Sequence, residues 1–149
     1  MQQPKGERQR LLQARNVSKS FGAFRVLHDV DFDVYRGEVL GILGPNGAGK
    51  TTLFNMISGD LKPSGGEIRL GEVLLKGEPP HRRCQMGIGR TYQIPQPYSG
   101  MTTFENLLVA SAFGGGRSEA ESYEFCAQVL RDCELLNKAN VLAGSLPLL

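Results

Sequence analysis

One glycine-rich segment constrains this chain more than any other feature of its sequence. Residues 44–51 read G-P-N-G-A-G-K-T, which fits the spacing G-x-x-x-x-G-K-[S/T] at every fixed position. Glycines in this spacing let the backbone curl closely around an anion, so that its N–H groups meet phosphate oxygens. Lys50 adds a positive charge, and the Thr51 hydroxyl is suited to ligate Mg²⁺. The motif therefore predicts a loop that binds the phosphates of a nucleotide.

The segments on either side of this loop have the pattern that such a site requires. Residues 38–43 are almost continuously apolar, which is typical of a parallel strand buried on both faces. Residues 50–58 have the pattern of a helix that ends at Gly59, and the positive end of its dipole would face the anion. Residues 87–92 are predicted as a second buried strand. We therefore expect an α/β fold with a parallel core strand at about residues 39–43.

Other segments predict a separate antiparallel sheet. Residues 11–17 and 67–70 are predicted as strands. Residues 26–35 alternate strictly, with three apolar side chains on one face and three aspartates on the other. This period is typical of a half-exposed antiparallel strand. We expect this sheet to flank the parallel core.

The second half of the chain predicts helices. Thr102 with Glu105, and Ser118 with Glu121, have the spacing of capping boxes, in which each side chain bonds to the backbone of the other residue. Each pair precedes a segment with helical apolar spacing. Residues 79–86 are predicted as a further short helix.

Composition and charge set the broad class of the chain. Its 149 residues are 40% hydrophobic and 21% charged, which is typical of one globular domain. The apolar runs are far shorter than the ~20 residues of a membrane span. The start of the chain also lacks the apolar core of a signal peptide. A net charge of +2 neither predicts nor excludes a nucleic-acid partner, and we expect none.

Short motifs spread over most of the chain resemble one family. They read V-S-K-S-F-G at 17–22, R-G-E at 36–38, the phosphate loop, I-S-G at 57–59, P-S-G-G-E-I at 63–68, G-R-T-Y-Q at 89–93 and E-N-L at 105–107. Together they resemble the ATP-binding subunits of ABC transporters, over nearly all of residues 12–135. The resemblance implies a P-loop NTPase fold of the ABC type, with a parallel core sheet, a flanking antiparallel β-subdomain and the start of a helical subdomain. Residues 1–10 would then be a flexible N-terminal arm, and residues 11–149 the N-terminal part of an incomplete ATP-binding domain.

The resemblance also implies roles for individual residues, with ATP and Mg²⁺ as cofactors. Phe21 matches the aromatic residue that stacks on the adenine ring. Gln93 matches the glutamine that reaches the Mg²⁺ and the attacking water, and whose loop contacts the membrane subunit. Lys50 and Gln93 are thus the catalytic candidates, and Thr51 and Gln93 the candidate metal ligands. The candidate nucleotide-binding residues are Phe21, Gly44, Pro45, Asn46, Gly47, Ala48, Gly49, Lys50, Thr51 and Thr52.

Three segments narrow the resemblance further. F-N at 54–55, R-T-Y-Q at 90–93 and E-N-L-L-V-A at 105–110 look most like importers of branched-chain amino acids, or of urea or amides. This implies a subunit that drives import of a small solute by ATP binding and hydrolysis. Its partners would be permease subunits and a second ATP-binding subunit, arranged head to tail. It would be cytoplasmic, held at the inner face of the plasma membrane through the permease.

The sequence also departs from the family. No apolar run ends in Asp-Glu, and both histidines, His28 and His81, precede Gln93, although the family's switch histidine follows it. S-L-P-L-L at 145–149 stands where the signature L-S-G-G-Q is expected, so we interpret the chain as truncated and as inactive in isolation. Two alternatives stay open. One is a non-hydrolytic nucleotide-binding fragment, and the other is a soluble P-loop phosphotransferase or GTPase.

Overall fold

The computed structural model describes residues 9–147 of the chain. The chain divides into two compact units, Met1–Arg83 and Cys84–Leu149. Of the predicted N-terminal arm, residues 1–10, the first eight lie outside the described residues. Arg10 belongs to the first strand.

The first unit contains a four-stranded antiparallel sheet. Its strands are β1 (Arg10–Phe21), β2 (Phe24–Tyr35), β3 (Gly65–Leu70) and β4 (Val73–Leu74), in the order β2-β1-β3-β4. A tight turn joins β1 to β2, with Gly22 at φ 58°. The predicted antiparallel sheet is therefore present, and β1 and β2 are longer than expected because they pair up to this turn.

The aspartates on the polar face of β2 fix its register against β1. Arg15 donates two hydrogen bonds of 2.8 Å to the carboxylate of Asp33. These bonds lower the pKa of Asp33 below its usual range. The Asn16 N–H donates to Asp31 Oδ1 at 2.6 Å, at a point where the register of the pair shifts and Asn16 has φ 49°. The polar face thus holds an irregular strand pair together.

One helix completes the core of the first unit. It is α1 (Lys50–Ser58), with the predicted bounds, and it ends at Gly59 in the left-handed region at φ 94°. Glycine is suited to this end because it has no Cβ penalty there. The buried apolar side chains of this unit are Leu12, Ala14, Val17, Leu27, Leu53, Met56, Ile68 and Leu75.

The two segments predicted as buried core strands are not strands. Residues 38–45 and 88–92 have no regular secondary structure. The side chains of Val39 and Leu43 are 98% and 96% exposed. A strand is stabilised by hydrogen bonds to a neighbour, and none of the strands in residues 9–147 pairs with either segment. The prediction of a parallel core strand at residues 39–43 is therefore wrong for this chain.

The second unit is helical. After α2 (Pro80–Gln85), which contains the boundary between the units, it consists of α3 (Thr103–Val109), a π-helical turn (Ala110–Gly114) and α4 (Glu119–Asp132). Two short 3₁₀ turns follow α4.

Both predicted capping boxes are present at the starts of the helices of the second unit. Thr102 caps α3 with Glu105, and Ser118 caps α4 with Glu121. In each box the glutamate also accepts from the backbone N–H of its capping residue, at 2.7 and 3.0 Å. No helix within residues 9–147 is long and apolar enough to cross a bilayer.

Candidate functional site

The glycine-rich loop has a backbone that only glycine adopts readily. Gly47 and Gly49 lie in the left-handed region, at φ 83° and 85°. Gly49 is also buried, and a Cβ at this position would lie 2.8 Å from a methyl carbon of Leu27. The backbone conformation therefore requires glycine at positions 47 and 49. At position 49 there is also no space for a Cβ atom.

The loop ends at a helix start whose N–H groups are not capped. Gly49 is the N-cap of α1 and makes no side-chain capping bond, and the first turn carries no acidic residue. The Leu53 N–H donates to the Gly49 carbonyl at 2.9 Å, which closes the first helical turn. The N–H groups before it have no partner within the helix, and they carry the positive end of the helix dipole. This arrangement suits an anion such as a phosphate.

Lys50 folds back over the loop that precedes it. Its Nζ donates to the carbonyls of Gly44 and Pro45, at 2.6 and 2.7 Å. The ammonium is thus held at the loop by two acceptors that phosphate oxygens could replace. Charge-assisted bonds of this kind are about twice as strong as neutral ones.

Phe21 lies at the end of β1, beside the turn to β2. Its side chain is 48% exposed, so it is not a core residue. The Nζ of Lys19 lies 5.0 Å from the ring centroid and also donates to the Lys62 carbonyl at 2.8 Å. Lys19 therefore contacts the Phe21 ring, and much of that ring is still exposed to a ligand.

Gln93 belongs to the second unit, whereas the loop residues 44–52 belong to the first. Gln93 is exposed, in a segment without regular secondary structure. The chain that follows it is held by Asn106 of α3, whose side chain accepts from the Tyr98 N–H at 2.8 Å and donates to the Thr102 carbonyl at 2.9 Å. Asn106 is half-buried, and an asparagine within a helical segment gives no sign in the sequence of such a network.

Arg83 is a second residue that the sequence analysis missed. Its side chain is 4% exposed, and burial lowers its pKa below the usual range. Two of its acceptors are carbonyls at the C-terminal end of α1, where a cation is favoured by the helix dipole. Its guanidinium donates to the carbonyls of Glu78 (2.8 Å), Met56 (2.7 Å), Ile57 (2.9 Å) and Leu75 (2.6 Å).

The donors at the loop fit the phosphates of a nucleotide better than they fit a bare metal ion. The loop offers backbone N–H groups and the ammonium of Lys50, which bind anions, and the hydroxyl of Thr51, which can give one oxygen to Mg²⁺. Within residues 9–147 no group of three or more His, Cys, Asp or Glu side chains could hold a metal ion. Mg²⁺ commonly takes few protein ligands together with substrate phosphates, and the hydroxyl of Thr51 is compatible with that mode.

Comparisons with known proteins identify the family. A family model described as ABC transporter matches residues 27–146. The high-affinity branched-chain amino acid transport ATP-binding protein BraF of Pseudomonas aeruginosa is 36% identical, over 91% of this chain and 59% of that protein. LivG of Escherichia coli K12, which has the same descriptive name, is 36% identical, over 93% of this chain and 60% of that protein.

A solved structure agrees with these relatives. The ADP conformation of an ATP-binding cassette of an ABC transporter matches with a TM-score of 0.72 and 33% identity, over 93% of this chain and 59% of that one. The chain thus spans 59–60% of the length of BraF and LivG. The predicted P-loop NTPase fold of the ABC type is confirmed, and so is the resemblance to branched-chain amino acid transport proteins. Because the family model covers most of its residues, this chain belongs to the ABC transporter ATP-binding family.

Proposed function

We propose that this chain binds Mg·ATP on residues 44–52, as part of the energy-coupling subunit of a branched-chain amino acid importer. The observation that carries the proposal is the start of α1. There, two left-handed glycines, uncapped N–H groups and the Lys50 ammonium meet at one loop. Such an arrangement stabilises bound phosphates. The choice of solute is supported by BraF and LivG, whose names specify branched-chain amino acid transport.

Each residue of the loop would have a separate task. The N–H groups of residues 47–52 would hold the phosphate oxygens, and Lys50 would move from its loop carbonyls to the β- and γ-phosphates. Thr51 would give its hydroxyl to Mg²⁺, and Thr52 would contribute to the phosphate contacts. When bound, Mg²⁺ neutralises negative charge on the phosphate oxygens. Phe21 would stack on the adenine ring.

The remaining proposals concern groups that act with this loop in the whole subunit. Gln93 would reach the Mg²⁺ and orient the attacking water. The segment around it would contact the permease subunits, through which the protein would be held at the inner face of the plasma membrane. A second ATP-binding subunit, arranged head to tail, would complete the active site. The exposure of Gln93 supports a role in contacts outside its own unit.

Phe21→Ala is expected to weaken Mg·ATP binding by the ~1–3 kcal/mol that stacking of a base on an aromatic ring contributes. Titration with a fluorescent ATP analogue measures the change. Phe24→Ala is the matched control, because Phe24 pairs with Phe21 across the same turn and is more exposed. A larger loss of affinity in Phe24→Ala than in Phe21→Ala would contradict the assignment.

The 149-residue chain is expected to release no phosphate from Mg·ATP above background. Asp132, the one aspartate after residue 100, lies in α4 and accepts from Gln128 at 2.7 Å. Glu105 and Glu121 bond to their own capping residues. These carboxylates are therefore not grouped to hold Mg²⁺ or to orient water.

Steady-state phosphate release, with Lys50→Ala as the background, is the measurement for this prediction. Binding without turnover agrees with a nucleotide-binding fragment. Turnover that depends on Lys50 would refute the prediction. Turnover that appears only with an added phosphoryl acceptor would favour the phosphotransferase alternative.

A further inference from the structure

The end of β1 carries a lysine that contacts the proposed stacking residue. The Lys19 ammonium lies over the ring of Phe21, with its Nζ 5.0 Å from the ring centroid. A cation within ~6 Å of the centroid is attracted to the face of an aromatic ring. This contact covers one face of the ring, although the Phe21 side chain as a whole is 48% exposed. A flat ligand could therefore reach the part of the ring that Lys19 leaves open.

A hydrogen bond fixes the ammonium at this place. Lys19 Nζ donates to the main-chain carbonyl of Lys62 at 2.8 Å. The Lys19 side chain is half-buried, and within residues 9–147 it makes no ion pair with a carboxylate. A carbonyl and an aromatic ring therefore determine where this charge lies.

The backbone around Lys19 is joined to the same loop. The Ser20 N–H donates to Ser64 Oγ at 3.0 Å, and the Ser64 N–H donates to the Ser18 carbonyl at 2.9 Å. Together with the bond from Lys19, these contacts connect the last residues of β1 to residues 62–64, which precede β3. The register of β1 against β2 shifts on both sides of Lys19, so the strand pair is irregular here. The contacts to residues 62–64 therefore help to hold this end of the strand.

We propose that Lys19 positions the Phe21 ring for the base of the bound nucleotide, an inference that rests on the proposed function. The ammonium would hold one face of the ring, and the base would stack on the opposite face. A ring that is already held in place loses less conformational freedom when the base binds, which increases affinity. Lys19 would therefore act through Phe21, and it would touch neither the phosphates nor Mg²⁺.

A comparison of Mg·ATP with Mg·tripolyphosphate separates this role from a contact with the phosphates. Tripolyphosphate has the phosphate chain of ATP but no base, so it cannot stack on Phe21. We expect Lys19→Met to bind Mg·ATP about threefold to tenfold more weakly than the wild type and to bind Mg·tripolyphosphate equally well. Lys19→Arg should bind Mg·ATP as the wild type does, because a guanidinium also stacks on an aromatic face. In a Phe21→Ala background, Lys19→Met should have no effect, because the ring that it positions is gone.

Lys62→Met is the matched control. It removes an exposed positive charge from the same loop but keeps the main-chain carbonyl that accepts from Lys19. Isothermal titration calorimetry of the full chain should give wild-type affinities of this variant for both ligands. Circular dichroism checks the fold of each variant. If Lys19→Met does not fold, Lys19→Gln replaces it, because glutamine removes the charge while its amide can still donate to the Lys62 carbonyl.

Three results would overturn the proposal. The first is an equal loss of affinity for Mg·ATP and Mg·tripolyphosphate in Lys19→Met, which would mean that Lys19 binds the phosphates or supports the fold of the site. The second is an unchanged or higher affinity of Lys19→Met for Mg·ATP. The third is the same loss in the Phe21→Ala background as in the wild type. A wild-type chain that binds neither ligand would contradict the proposed function itself, and this inference with it.

Discussion

A Lys50→Ala variant is expected to lose roughly 100-fold or more of its affinity for Mg·ATP. Without nucleotide, the Lys50 ammonium is satisfied by the carbonyls of Gly44 and Pro45, at 2.6 and 2.7 Å. On binding it would exchange these neutral acceptors for charged phosphate oxygens, which make stronger bonds. Alanine removes that gain and leaves the phosphates with the backbone N–H groups alone.

Equilibrium titration with a fluorescent ATP analogue measures this loss. Lys138→Ala is the matched control, because it removes the same charge at an exposed position of the second unit. Its affinity for the analogue should equal that of the wild type. Equal, small losses in Lys50→Ala and Phe21→Ala would show that the loop does not bind the phosphates as proposed.

Arg83→Met is expected to lower the free energy of unfolding by about 3 kcal/mol or more. The substitution keeps much of the apolar volume but removes donors to four main-chain carbonyls. Two of them, Met56 and Ile57, are at the C-terminal end of α1, where unsatisfied carbonyls are costly when buried. α1 also begins at the phosphate loop, so the loss of the Arg83 hydrogen bonds should loosen the helix that positions this loop.

The neighbouring Arg82 provides the control for this prediction. It lies on the same helix, α2, but is exposed. Arg82→Met should change the free energy of unfolding by less than about 0.5 kcal/mol. Thermal unfolding followed by circular dichroism compares the two. Equal free energies of unfolding for the two variants would contradict the prediction, because they would mean that water replaces Arg83 as the donor to these carbonyls. Arg83→Lys should lie between them, because one ammonium cannot reach all four carbonyls.

Features governed by residues close in sequence could be predicted well. α1 has the predicted bounds because Gly49 and Gly59, at its two ends, supply backbone conformations that other residues adopt poorly. The capping boxes at Thr102 and Ser118 were predictable for a similar reason, since each joins residues three positions apart. The antiparallel strands followed from alternation along one short segment.

Residues 38–43 show where this reasoning fails. Their apolar pattern indicates only that a strand here would be stable if other parts of the protein covered its side chains. Whether it becomes a strand depends on a neighbour that supplies hydrogen bonds and a face to pack against. In residues 9–147 no strand does so, and Val39 and Leu43 are exposed. A pattern within one strand contains no information about the presence of its partner.

The phosphate loop, the helix that follows it and the family could all be recognised before the structure, because they depend on residue types at fixed short spacings. Which of two adjacent arginines is buried depends instead on tertiary packing. Arg82 and Arg83 are equivalent in the sequence, but Arg83 donates to Met56, 27 positions earlier in the chain. The structure likewise brings Met56 of α1, Ile68 of β3 and Leu75 together, and all three are buried. Contacts between residues so far apart depend on how the whole unit packs, and local spacing does not encode them.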